Sequence, residues 1–312
     1  MNSERFITSR RSFIESAAPF VLALPAFVHA QTLIERGGFN EEQFPLVREK
    51  LLKLLNDERA EARLNPLALD ELAGKVGNDH ASDMVHGQFL SHWGSDGRKA
   101  YHRYSFAGGT DALQENVGSA DNIQSLAPNS VIKDFLDMHQ AMMNEVPPND
   151  GHRRTILNPH HTHVGFGMSF QGHSLRLDEL YLARYIQLDH VPRQAKAKST
   201  IIFTGKLLNA RHFLHEVDVF YEPLPTAPDI AWLRAPRSLS LPDDYVVLRP
   251  KAPGGTTYVD GTLGDFDWGG GRFRVPAKMY KDEPGIYTIV FWINRNANEN
   301  PFPVAEVCVR VE

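Results

Sequence analysis

Cysteine is almost missing from this chain: Cys308 stands alone among 312 residues. A single thiol excludes an internal disulfide framework and any multi-cysteine zinc or iron–sulfur centre. No apolar run reaches the roughly 18 residues that a membrane-spanning helix requires. A basic excess is missing too. The 33 Lys and Arg against 38 Asp and Glu leave a net charge of −5. That gives no electrostatic footprint for nucleic acid, so that class of partner is set aside. There is no Gly-x-Ser-x-Gly elbow, no His-Glu-x-x-His helix and no phosphate-cradling glycine loop. What remains is a globular composition, 42% hydrophobic and 23% charged, which excludes a disordered or collagenous chain. Single cores rarely grow much past about 250 residues, so the length favours two domains. Histidine is uneven: of 14, eleven lie between His80 and His190.

The N-terminus reads as an address. Ser9-Arg10-Arg11-Ser12-Phe13-Ile14 is a twin-arginine pattern, and a short apolar stretch from Ala17 to Val28 follows. Val28-His29-Ala30 places small residues where a signal peptidase prefers them. Residues 1–30 are therefore expected to be a Tat-type signal peptide, cleaved after Ala30. Such a signal implies a bacterial or archaeal source, export in the folded state and an extracytoplasmic location. After cleavage the chain is not expected to span a membrane.

Residues 40–190 read as mixed helix and strand. Asn40-Glu41-Glu42-Gln43 forms a capping-box pattern. Val47, Leu51, Leu54, Leu55 and Ala62 then recur at helical spacing until Asn65-Pro66. Asp70 is placed to cap a second helix with a buried stripe of Ala73, Val76, Gly77, His80 and Met84. A third helix runs from about Ser130 to Met143 through Val131, Phe135, Met138 and Met142. Val164, Phe166, Met168 and Phe170 alternate with Gly165, Gly167 and Ser169, a strand whose glycine face lets a helix approach closely. Leu180 to Leu188 is expected as a strand buried on both faces. Together these predict helices on both sides of a small antiparallel sheet. Val191 to Ser199 reads as a linker. Beyond it, 200–312 shows short strands at Thr200–Leu208, Leu214–Glu222, Tyr245–Arg249, Gly271–Val275, Gly285–Ile293 and Val304–Val311, the spacing of a sandwich. Asp282-Glu283-Pro284-Gly285-Ile286-Tyr287 is similar to the tyrosine corner of immunoglobulin-like sandwiches.

Four stretches carry chemistry. They are Phe89-Leu90-Ser91-His92-Trp93-Gly94-Ser95-Asp96-Gly97-Arg98, Gln114-Glu115-Asn116-Val117-Gly118, Met142-Met143-Asn144-Glu145-Val146, and Gly151-His152-Arg153-Arg154-Thr155-Ile156-Leu157-Asn158-Pro159 leading into His163-Val164-Gly165-Phe166-Gly167. In this order, over roughly residues 45 to 190, the chain resembles the bacterial branch of the CAP superfamily (cysteine-rich secretory proteins, antigen 5 and group one pathogenesis-related proteins), also called the SCP-like domain. The resemblance implies an α–β–α sandwich. The overall expectation is thus an α+β protein, with a CAP domain at 40–190 and an all-β immunoglobulin-like sandwich at 200–312. The resemblance also implies a cleft of two histidines and two glutamates: His92, Glu115, Glu145 and His152. Met142 stands where plant and animal members have a tryptophan, and the eukaryotic disulfides are absent.

Two imidazoles and two carboxylates are the ligand set of zinc sites with one position open for water. Without a metal, a Glu–His pair shuttles protons. A fully bonded polar network pinning loops onto the sheet is the third reading. The resemblance implies binding of sterols, fatty acids or other lipids, binding of divalent metals, or proteolysis. The expectation is a binding module for a small amphipathic molecule, a cell-envelope component or a divalent cation such as zinc, held at His92 and His152. The alternative is a metal-assisted hydrolase acting on extracytoplasmic peptide or envelope material. No single residue is assigned a catalytic role. His80 and His139 read as satisfied core histidines. His160, His161 and His163 read as a solvated turn, Met138, Met142 and Met143 as core packing, and Asn56 and Arg59 as braces. Arg153 and Arg154 belong to a cleft rim or to a salt bridge with Asp150, and Trp93 flanks the cleft or packs.

Overall fold

The computed structural model describes residues 38–296 and 298–312, with the backbone of Phe20–Leu22 (β1). The twin-arginine motif and the cleavage position after Ala30 lie outside the described residues. Asn40 and Gln43 form the expected capping box: Asn40 Oδ1 accepts from the Glu42 amide at 2.9 Å, and Gln43 Oε1 accepts from the Asn40 amide at 3.0 Å. This leads into α1 (Phe44–Glu61), which buries Val47, Leu51 and Leu55. After the short β2 (Ala68–Leu69), Asp70 caps α2 (Glu71–Gly87) by accepting from the Ala73 amide at 2.8 Å. Gln88, in the left-handed conformation at φ 53°, ends that helix. Then follow α3 (Ala100–Phe106), β3 (Ala112–Asp121), α4 (Pro128–Met143), α5 (Gly151–Ile156), β4 (His163–Gln171) and β5 (Ser174–Ala183).

These strands form one sheet in the order β1-β3-β5-β4-β2, with β3, β5 and β4 antiparallel. Side chains of α1 and α4 pack on one face, around Phe135, Phe166, Leu177 and Tyr181. On the other face α2 and α3 pack around Ala73, Val76, Tyr101, Leu180 and Leu182. The glycine face does what the alternation predicts. A Cβ on Gly167 would lie 1.9 Å from the Gly77 carbonyl carbon, and one on Gly165 would lie 2.3 Å from the Gly74 amide. Helix α2 therefore rests on the backbone of β4, and His80, one turn beyond Gly77, is pressed toward the sheet.

The strand expected at 180–188 divides. Its first part belongs to β5, which begins six residues earlier at Ser174; Ile186–Leu188 (β6) pairs instead with a strand of the second region. Arg184 explains the break. Its guanidinium spans Asp70 at 2.6 Å and Asp111 at 2.8 Å, and its amide donates to Thr162 Oγ1, so the chain leaves the sheet there.

The second region is β-rich. With β7 (Gln194–Ala195), β8 (Thr200–Leu207), β9 (Phe213–Pro223), α6 (Ile230–Arg234), β10 (Tyr245–Leu248), β11 (Asp267–Gly269), β12 (Arg272–Lys278), β13 (Gly285–Asn294) and β14 (Phe302–Val311), it builds two sheets. Their orders are β10-β9-β13-β14-β7 and β11-β12-β8-β6. Phe203, Val217, Val275, Ile289, Phe291 and Val307 belong to its buried core. The stretch 191–199 is docked rather than loose: β7 pairs with β14, and Arg193 donates to Ser105 Oγ at 2.6 Å.

A clasp joins the two regions. Glu222 on β9 accepts from Tyr101 Oη at 2.8 Å and pairs with His102 at 3.1 Å and with Lys99 at 2.7 Å. Burial alone would raise the Glu222 carboxyl, but the His102 hydrogen bond and Lys99 outweigh it and hold it at about 2. Ser105 Oγ also accepts from the Cys308 amide at 2.6 Å. Helix α3, which the sequence reading lacked, is the element that makes these contacts.

Candidate functional site

His92 lies in the loop after α2, and Glu115 in β3. Their side chains are fully buried, and His92 Nδ1 donates to Glu115 Oε2 at 2.8 Å. Arg103 on α3 donates to Glu115 Oε1 at 2.5 Å and to the carbonyls of His92 and Arg98 at 3.0 and 2.9 Å. Burial raises the Glu115 carboxyl, but the Arg103 guanidinium and the His92 hydrogen bond overcome it and hold the group at about 2. Glu115 is thus an anion that fixes the imidazole proton on Nδ1 and turns Nε2 outward from the pair.

The second pair is built on the loop after α4 and on α5. His152 Nδ1 donates to Glu145 Oε1 at 2.5 Å, and the His152 amide donates to Glu145 Oε2 at 2.9 Å. The His152 side chain is fully buried, and its Nε2 has no hydrogen-bond partner. Asn116, next to Glu115, donates to the His152 carbonyl at 3.2 Å, so β3 is the strand both pairs share. Alternation along β3 sends Glu115 toward α2 and α3 and Asn116 the other way. The structure therefore brings the four expected residues together as two pairs. Among the described residues, no three of them place donor atoms within 4.8 Å of one another.

That closer grouping involves different residues: His80, Glu115 and Asp178, all buried. His80 Nε2 donates to the Ser91 carbonyl at 2.8 Å, which leaves Nδ1 without a partner. Burial, with Arg103 nearby, lowers the His80 pKa to about 4. Burial and the neighbouring Glu115 push the Asp178 carboxyl well above the usual carboxylate range. His80 is thus less than fully satisfied, contrary to the core reading. Arg103, in the His102-Arg103-Tyr104 run that follows the first motif stretch, has no role in the sequence reading, and Asp178 escapes notice there. A signal for Asp178 was present, since it lies in phase with Leu180 and Leu182 on the β5 face that packs against α2 and α3.

His139 is buried and satisfied, bonded to Glu179 at 2.7 Å and Glu58 at 2.9 Å. The turn after α5 is not a solvated loop: His161 is buried and stacks on Tyr181, and His160 stacks on Phe302 of the second region at 3.8 Å. Arg154 pairs with Asp150 at 3.3 Å. Asn56 brackets the Leu67 backbone, and Arg59 holds the carbonyls of Asn65, Ile156 and Asn158. Met138, Met142 and Met143 are core. Trp93 meets Trp232 of α6 edge-on at 5.3 Å.

Among known proteins, residues 52–183 match the model of the Cysteine-rich secretory protein family, CAP. The uncharacterized protein YkwD of Bacillus subtilis (strain 168) is 32% identical over 126 residues, or 38% of this chain and 41% of that protein. The chain thus spans about two-fifths of this curated relative. An extracellular protein containing an SCP domain from Bacillus anthracis str. Ames is similar over 47% of this chain and 45% of its own, at 19% identity and a TM-score of 0.36. An outer surface protein of Borrelia burgdorferi is similar over 47% of this chain and 98% of its own, at 16% identity and a TM-score of 0.36. Among the described residues no helix is long and apolar enough to cross a membrane. Residues 52–183 carry a CAP-family domain with a bacterial homologue.

Proposed function

We propose that the CAP domain is a binding module that takes a divalent cation through His92 and His152. One observation carries this reading: His152 Nε2 is buried without a hydrogen-bond partner while Glu145 fixes Nδ1. A carboxylate on the far nitrogen is how ligating histidines are oriented and made more basic. His92 Nδ1 likewise donates to a carboxylate, Glu115 Oε2 at 2.8 Å. Among the described residues β1 pairs with Gly118–Ala120, and the stretch of β3 beside it, Glu115 and Asn116, is where donors from both faces of the sheet would meet. The donor set fits zinc, with two imidazoles as ligands and the glutamates behind them.

Around this site we infer an exported protein. Residues 1–30 supply the Tat-type signal, 40–190 the CAP domain, 191–199 the connection and 200–312 an immunoglobulin-like module that presents the site to a cell-envelope component. The Tyr287 hydroxyl, which accepts from the Lys281 amide at 2.6 Å, supports the sandwich reading because it makes the backbone bond of a tyrosine corner.

Zinc titration against a chromogenic chelator tests the cation. His92→Ala/His152→Ala should lose the cleft equivalent, and Glu145→Gln should weaken it about 10- to 100-fold. Equal zinc uptake at the cleft by wild type and double variant would sink the reading.

A further inference from the structure

The cleft pairs do not use His80 or Asp178, yet these two share the most compact donor cluster of the described residues. The fold forces this juxtaposition. Gly77 lets α2 touch β4, with a Cβ at that position only 3.0 Å from the Gly167 backbone, and His80 follows one turn later. Asp178 pairs with Val117 across the β3–β5 ladder, and Glu115 pairs with Leu180, so the two carboxylates are diagonal neighbours beneath the histidine. All three residues are 0–1% exposed.

Two kinds of atom in this cluster lack partners. The Ser91 carbonyl takes the His80 Nε2 proton, so the Nδ1 lone pair is left unmet. Neither oxygen of Asp178 meets an N–H donor, and the side chain it faces is the Glu115 carboxyl. Buried polar atoms are nearly always bonded, and a cluster of exceptions points to a bound ion or water. Convergence decides between them: one imidazole nitrogen and two carboxyl oxygens lie within 4.8 Å of one another, the spacing of ligands around a single cation.

We propose that His80 Nδ1, Glu115 and Asp178 form an inner site for a divalent first-row transition ion, zinc or manganese, that shares only Glu115 with the cleft. One imidazole and two carboxylates suit those ions better than magnesium or calcium, which prefer oxygen alone. The carbonyl of Ser91 holds the histidine in its ligating tautomer. Arg103, on Glu115 Oε1, tempers the affinity. Glu115 then has a cation on one side and His92 on the other, so the inner ion fixes the anion that orients the cleft histidine.

The test is anomalous diffraction from the full chain, produced in zinc- or manganese-supplemented medium and crystallised without chelator. A peak about 2.0–2.2 Å from His80 Nδ1 and the two carboxylates is expected. A water-sized peak without anomalous signal there overturns the inner site. A signal only beside Nε2 of His92 and His152 overturns it while sustaining the cleft reading, and a signal only at the inner position does the reverse. In solution, the near-isosteric Asp178→Asn should weaken one zinc equivalent at least about tenfold while His152→Ala retains it. If Asp178→Asn fails to fold, His80→Gln takes its place. Zinc affinity equal to wild type in the variant measured overturns the proposal.

Discussion

Two buried histidines of the CAP domain each lie among two carboxylates, on opposite faces of one sheet, and they end in opposite charge states. His139 offers both ring nitrogens to carboxylates, Glu179 and Glu58. Burial works against its charge, but Glu179 and the two hydrogen bonds prevail and raise its pKa to about 10. His80 has Glu115 and Asp178 nearby but spends one nitrogen on the Ser91 carbonyl, and burial with Arg103 nearby lowers it to about 4. The composition is nearly the same; the hydrogen-bond partners and one guanidinium differ. A histidine clamped at both nitrogens is a structural cation. One held at a single nitrogen by a carbonyl stays neutral and keeps a lone pair, which is what a metal ligand needs.

The comparison breaks most visibly at His139. His139→Leu keeps the volume but leaves Glu58 and Glu179 facing each other, and should cost about 3–5 kcal/mol in denaturant unfolding at pH 7. The pH dependence follows the sign of each shift. A pKa raised in the folded state contributes stability below about 6.5, lost as pH climbs through about 10. A depressed histidine pKa works the other way, so the metal-free protein loses stability through His80 as pH falls from 6.5 toward about 4. The variant should therefore lack the alkaline decline attributable to His139 and keep the acid one. A wild-type alkaline limb surviving in His139→Leu would refute the clamped-cation account.

Arg103 sharpens the contrast from the other side. Arg103→Gln removes the guanidinium that neutralises Glu115 and braces the His92 carbonyl. Glu115 keeps its His92 bond, so the expected loss is nearer 2 kcal/mol, in the range of hydrogen bonds to charged groups. Zinc affinity should move in the opposite direction, rising roughly tenfold (about 1.4 kcal/mol) as a positive neighbour leaves the inner donors. A variant weakened in both stability and zinc binding would mean Arg103 builds the inner site rather than tempering it.

Much of this was legible in the sequence where local signals and burial agree. The Asn40–Gln43 box, the Asp70 cap and the Gly165/Gly167 face each carry their structural meaning in a few residues. Six strands of the second region stood out as short apolar runs between proline and glycine clusters. Helices α3 and α5, at seven and six residues, were too short to show a period. Strand β3 was seen only as a Glu-Asn motif, because nearly every residue in it is buried and no alternation remains. The pairing of His92 with Glu115 and of Glu145 with His152 is tertiary, as is the choice of carbonyl or carboxylate for each imidazole. Spacing along the chain does not encode those choices. Asp178 shows the limit best: its meaning comes from lying diagonal to Glu115 under α2.

The smallest expected effect is a control on the same helix as His139. Lys133 and Asp137 are an i,i+4 pair on α4, with side-chain exposures of 70% and 32%. Lys133→Ala should change stability by no more than about 0.5 kcal/mol, and less in high salt, because solvent screens the pair and holding a long side chain in place costs entropy. His139 lies six residues away on that helix, so both substitutions share a backbone context and differ chiefly in burial. If Lys133→Ala cost as much as His139→Leu in parallel urea titrations, charge removal from α4 would be the common cause. A tenfold or greater disparity in equilibrium constant instead assigns the difference to the low-dielectric interior, where an uncompensated carboxylate has no water to turn to.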